Sequence, residues 1–184
     1  VYAESTPNPS VLKFVANKKL VLQSIEFKSI EEAKIAPLAE QLFHFPFVKE
    51  VFMDSNYVSV QKYDIVEWED VTTEIREFIK KFIESGKEAI NQQAVQKQAE
   101  KAQSNSTNHP SFEDLDDISQ QIVNILDEYV KPAVASDGGN IVFESYNEEA
   151  KEVKVILQGA CSGCPSSTMT LKNGIETMLK DMLH

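Results

Sequence analysis

Apolar positions along the chain fall into two regularly patterned stretches, separated by one in which the pattern lapses. In the first, Val11 to Val15 and Leu20 to Phe27 are rich in β-branched residues and phenylalanine, and both predict strands. Val48 to Asp54 and Tyr57 to Tyr63 predict a hairpin that turns at Ser55-Asn56, with Val58 and Val60 on one face. Ser29-Ile30-Glu31-Glu32 has the form of a capping box, but Pro37 inside that helix would cost about 3 kcal/mol, so the helix is expected to start near Pro37 and run to about Phe43. Val71, Ile75, Phe78, Ile79 and Phe82 recur at helical spacing and predict an amphipathic helix over 71–84.

The second stretch reads as helix, strand, strand, helix. Ser111 can cap a helix with Asp114 three positions on, and Ile118, Ile122, Ile125, Leu126 and Tyr129 supply its apolar stripe. Asp137-Gly138-Gly139-Asn140 makes a turn, because glycine takes positive φ without steric cost. Ile141 to Tyr146 and Lys151 to Gln158 alternate like strands around Asn147-Glu148-Glu149-Ala150, with Val153, Val155 and Leu157 facing one way. Leu171, Ile175, Met178, Leu179 and Met182 mark the last helix, with Pro165 in its first turn. The methionines lie on that stripe and are read as core.

Between the two stretches, from about Gly86 to Pro110, aromatics vanish and Gln, Ala, Asn, Ser and Lys take over, a composition that cannot bury a core. The reading is therefore of two small α+β domains, residues 1–86 and 111–184, joined by a flexible or partly helical polar linker, 87–110.

Charge narrows the partners. The net charge of −11 opposes binding to nucleic acid or an anionic membrane by bulk electrostatics. Residues 1–86 carry 10 basic against 14 acidic residues, or −4; the polar segment is near neutral; residues 111–184 carry 5 against 13, or −8. No apolar run approaches the ~18 residues that span a bilayer, so neither nucleic acid nor membrane is expected as a partner. Two cysteines placed two residues apart cannot staple a chain of 184 residues, which favours a reducing interior compartment over a secreted disulfide scaffold. The chain opens on Val1 rather than Met, so a removed targeting segment would not be visible in it.

Candidate chemistry is confined to one place. His44 lies between Phe43 and Phe45 with no second ligand near in sequence, and reads as a core or boundary histidine; Trp68 and Leu42 to Phe47 read most simply as core, with a partner-binding patch as the alternative. Gly159-Ala160-Cys161-Ser162-Gly163-Cys164-Pro165 puts both cysteines in a CxxC between a strand and a helix, outside both apolar stripes. There helical N–H groups stabilise thiolate, the form that binds metal or attacks disulfides, and small neighbours let the backbone turn tightly around a common ligand. Zinc or an iron–sulfur cluster usually takes four protein ligands, so Cys161 and Cys164 form half a site that a second chain would complete. Three readings follow: a thiol–disulfide oxidoreductase, although a thioredoxin-like fold needs strands beyond the last helix and the chain stops at His184; a structural zinc held by four cysteines of two chains; and a transferable iron–sulfur cluster bridging two chains.

The stretch VKVILQGACSGCPSSTMTLKNGIETML, preceded by Lys131-Pro132-Ala133 and Ser136-Asp137-Gly138-Gly139, resembles the NifU C-terminal domain of Nfu-type iron–sulfur cluster carriers. STPNPSVLKF, Leu42-Phe43 and Val48 to Lys62 resemble the Nfu N-terminal domain. Asn140 stands where the family commonly has Asp, and the chain ends at Leu183-His184, ahead of the usual tail. The resemblance implies that Cys161 and Cys164 of two chains hold a [4Fe-4S] cluster, received from an upstream donor and delivered to apo-proteins, without enzymatic turnover. It implies partner targeting for the N-terminal domain, and a bacterial cytoplasm or, in a eukaryote, the mitochondrial matrix as the setting.

Overall fold

A computed structural model describes residues 1–91, 93–94, 115–162 and 165–183, with no side-chain description for 165–167. The chain divides into two compact units, Val1–Ser106 and Thr107–His184. Both combine helices with antiparallel strands, the α+β class read from the sequence.

The first unit contains β1 (Tyr2–Ser5), β2 (Val11–Val15), β3 (Ile25–Phe27), α1 (Pro37–Leu42), β4 (Val48–Asp54), β5 (Tyr57–Lys62) and α2 (Trp68–Glu84). The strands form one antiparallel sheet in the order β1-β2-β5-β4-β3. Alternation along β5 sends Val58 and Val60 into the main core with Phe14, Val51 and Met53, where α1 supplies Leu38, Ala39 and Leu42 and α2 supplies Val71, Ile75, Ile79 and Phe82. Tyr57, on the opposite face, joins Val15 and Phe52, with the Lys13 ammonium 4.6 Å from its ring centre.

Local signals placed the hairpin and the start of α1 well. A single 3-10 turn, Glu32–Ile35, precedes Pro37, and the capping-box residues act on it: Ser29 Oγ accepts from Glu32 N–H (3.4 Å) and Glu32 Oε2 from Lys28 N–H (2.8 Å). The expected strand at Leu20 to Phe27 shrinks to Ile25–Phe27, because Leu20 and Val21 both spend their N–H groups on the Ser55 carbonyl (2.7 and 3.1 Å). His44, read as core or boundary, is exposed; the chain has left α1, and the flanking phenylalanines alone turn toward the core. Trp68 is half-buried, its Nε1–H donating to the Pro9 carbonyl (3.0 Å).

The polar composition from residue 87 does not release the chain at once. Gly86 (φ +72°) turns it after α2, and Ala89 and Ile90 re-enter the core of the first unit. Leu38 N–H donates to the Ala89 carbonyl (3.4 Å) and Asn91 N–H to the Ile35 carbonyl (2.7 Å). Two apolar residues within the polar run are enough for α1 to hold this stretch.

The second unit contains α3 (Asp117–Ile125), a π turn (Leu126–Val130), α4 (Lys131–Ser136), β6 (Gly139–Asn147), β7 (Glu152–Gly159) and α5 (Pro165–Met182). The expected cap at Ser111 lies outside the described residues; the cap observed is Asp116, which accepts from Ser119 N–H (3.2 Å) and Ser119 Oγ (2.5 Å). The helical run continues past Tyr129 to Ser136, through Pro132, which lacks an N–H and is tolerated at the start of α4. Ile122, Leu126, Val130 and Val134 are all buried. A repeat of four outruns the 3.6 residues of an α-turn, and the wider π turn takes up the excess, while Tyr129 goes to solvent. β6 and β7 pair antiparallel, with a bulge at Glu144, and place Ile141, Phe143, Val153, Val155 and Leu157 against this helical ridge and against Ile175 and Leu179 of α5.

Candidate functional site

The hairpin ends at the rung that pairs Gly139 with Gly159, and the cysteine turn begins there. Gly138 (φ +80°) and Gly159 (φ +66°) occupy the left-handed region that glycine enters freely. Ala160 N–H donates to the Gly138 carbonyl (3.2 Å), tying the turn to the Gly138-Gly139 corner, and Ser162 N–H closes the turn on the Gly159 carbonyl (3.0 Å). Thr168 Oγ1, in the second turn of α5, donates to the Cys161 carbonyl (3.5 Å).

Cys161 does not stand outside the apolar stripes. It is 4% exposed and belongs to the core that holds Ile122, Leu126, Val130, Val134, Ile141, Ile175 and Leu179. The sequence missed this because the contact that makes it possible is non-local. Gly139 has no side chain, and a Cβ there would lie 2.9 Å from Cys161 Sγ, 3.1 Å from Cys161 N and 2.6 Å from the Gln158 carbonyl oxygen. The Gly138-Gly139 doublet was legible as a turn. Only Gly138 is there for its φ; Gly139 is there for close approach. Gly163 and Cys164, the second predicted ligand, lie outside the described residues.

No charged residue occurs between Lys154 and Lys172, so the turn lies in an uncharged stretch of a strongly acidic domain, with Asp137 preceding the Gly138 whose carbonyl Ala160 N–H meets. Lys131 and Lys180 are committed to Asp127 and Glu176, each at 2.6 Å. At the turn, favourable polarity for an anionic thiolate unit comes from the start of α5. Among the described residues, no three Cys, His, Asp or Glu side chains converge where they could hold a metal ion. Asn140, at the departure from the family pattern, donates through Nδ2 to Gln158 Oε1 (3.2 Å), a cross-strand bond next to the glycine rung.

A two-domain α+β chain, with its one cysteine turn set between a hairpin and a helix, is the class that fold and site define. Residues 1–86 match the family described as scaffold protein Nfu/NifU N terminal, and residues 122–184 match the NifU-like domain family. The chain is 34% identical over 182 residues to NFU1 iron-sulfur cluster scaffold homolog, mitochondrial, of Drosophila willistoni, covering 98% of this chain and 59% of that protein. It is 36% identical over 180 residues to NifU-like protein 4, mitochondrial, of Arabidopsis thaliana, covering 97% and 61%. A solution structure of a NifU-like protein from Saccharomyces cerevisiae aligns at 25% identity and a TM-score of 0.45, over 50% of this chain and 83% of that one. The chain therefore spans about three fifths of the length of the curated relatives it matches. With both domain families in order along it, the chain belongs to the Nfu-type family.

Proposed function

We propose that this chain is an iron–sulfur cluster scaffold and carrier, in which Cys161 and Cys164 of two copies hold one [4Fe-4S] cluster as cargo and pass it to apo-proteins. The observation that carries the reading is the position of Cys161, in a neutral turn between the glycine rung of the hairpin and the start of α5, within a NifU-like domain. Thiolates are the ligands such clusters take; each chain has two cysteines where a cubane uses four, so cluster binding and dimerisation are coupled. A site split between two short turns suits a cargo that must leave. A zinc site meant to be permanent has no need of that division.

In this reading residues 111–184 form the cluster-binding domain, residues 1–86 with the docked stretch through Ala94 recognise donors or recipients, and the segment between them is the tether. The protein hands on a cluster and turns nothing over. The relatives' names place them in mitochondria, which favours the matrix for a eukaryotic chain; a bacterial one would act in the cytoplasm. Among the described residues no helix is long and apolar enough to cross a membrane.

Anaerobic reconstitution followed by iron, sulfide and zinc analysis, with sedimentation on the same sample, tests the proposal. One cubane per two chains, together with a shift from monomer to dimer, is the expected result. A fully loaded monomer sinks the bridging model, and zinc uptake without sulfide replaces the cluster with a structural metal. Sustained disulfide reduction by metal-free protein would point to an oxidoreductase instead.

A further inference from the structure

The thiol that should grip the cargo is stored in the core. Cys161 is buried among Ile122, Leu126, Ile141, Ile175 and Leu179, and its sulfur lies so close to the Gly139 backbone that no β-carbon fits between them. A cluster is several times wider than a sulfur atom and cannot follow it there, so binding requires the side chain to come out. The turn that carries it has a glycine at its start: Gly159 can change φ at little steric cost. Ala160 N–H meets the Gly138 carbonyl, Ser162 N–H the Gly159 carbonyl and Thr168 Oγ1 the Cys161 carbonyl, and opening would exchange these contacts for exposure of the sulfur.

We infer that the 159–162 turn has two positions, a closed one that stores Cys161 in the core and an open one that presents it to the cluster, and that Gly139 is the positioning residue that makes the closed one possible. This rests on reading Cys161 as a cluster ligand and adds how that ligand is released. Closing refills the core, and its favourable free energy opposes retention of the cargo. When the binding-competent state is only a fraction of the population, apparent affinity falls by that fraction. Because the cluster takes Cys161 from two chains, a turn open about 1–10% of the time would weaken cluster retention about ten- to a hundredfold for each chain that must open, the lability a carrier needs. Storage also keeps the empty thiol away from oxidants, whose attack follows exposure.

Labelling reads the closed state with no cluster present. In the full chain bearing Cys164→Ser, iodoacetamide should modify Cys161 at least about tenfold more slowly than in the same chain unfolded in urea. Equal rates overturn the proposal. Gly139→Ala, if folded by circular dichroism, should label Cys161 faster and, with both cysteines present, keep its cluster about tenfold longer against an iron chelator. Unchanged labelling in the folded variant removes the role given to Gly139. Should that variant not fold, amide hydrogen exchange on the unaltered chain decides: protection at Ala160 and Ser162 should drop on loading, and identical protection in empty and loaded protein overturns the two-position turn. A chain that takes up no cluster at all would sink the carrier reading while leaving the labelling result intact.

Discussion

The backbone N–H of Asn91 donates to the carbonyl of Ile35 at 2.7 Å, which fastens the chain after α2 to the turn before α1. Ile90, next to it, is 7% exposed in the main core, although it sits in a run that composition assigns to a linker. The first domain thus continues beyond Gly86.

Truncation should expose this. Burying an isoleucine contributes about 1.5–3 kcal/mol, and in a domain of this size 1 kcal/mol moves the melting temperature by about 4–8 °C. A fragment ending at Gly86 should melt roughly 10 °C below one ending at Ala94, with Ile90→Ala in the longer fragment falling between. Coincident thermal curves for the two fragments would return this stretch to the tether.

The cap of α3 predicts a pH dependence. The Ser119 hydroxyl, and after it the Ser119 backbone N–H, donate to Asp116 and hold its carboxyl below the usual aspartate range. A carboxyl whose folded pKa is depressed stabilises the fold above its unfolded value, and the contribution fades as pH falls through the folded one. Asp116→Ala should therefore lower the melting temperature of the second unit at neutral pH, and the gap from the parent should close on acidification below the ordinary aspartate range. A gap that stays constant down to acid pH would mean that charge at this cap plays no part.

What could be read from sequence divides by range. The β4–β5 hairpin, α1 starting at Pro37, and the glycine turn into β6 rest on residues adjacent in the chain, so their signals were complete. Leu20-Val21 lost its strand to the carbonyl of Ser55, and the π turn at Leu126 answers to packing along a ridge that extends to Val134; neither partner is visible from within the segment. The candidate site follows the same rule. CxxC marks candidate ligands by type, but the burial of Cys161 depends on the missing side chain of Gly139, a residue of β6.

That burial changes what cysteine replacement should do. With the turn outside the core, serine would be harmless to the empty fold; with Cys161 buried, Cys161→Ser places a hydroxyl in an apolar cluster at a cost of about 1–3 kcal/mol. Cys161→Ala loses packing but buries no polar group, and should be the milder change. Both should abolish cluster loading. Urea unfolding of the two empty variants separates the effects: equal midpoints for Ser, Ala and the parent would show that Cys161 does not contribute to the core in solution.

Delivery is where the two domains should differ. The second unit has its own core and the cysteine turn, so a fragment of residues 107–184 should still take up cluster. Residues 111–184 carry a net charge of −8, which gives general repulsion from other acidic proteins. On the proposed carrier reading, selection falls to the first unit, whose binding would raise the local concentration of the loaded turn at the recipient. Cluster transfer to a natural recipient should accordingly be faster from the full chain than from the fragment, while transfer to a small-molecule thiol acceptor should proceed at the same rate from both. Equal rates to several protein recipients would strip the first unit of its recognition role and leave the cysteine domain as the whole of the carrier.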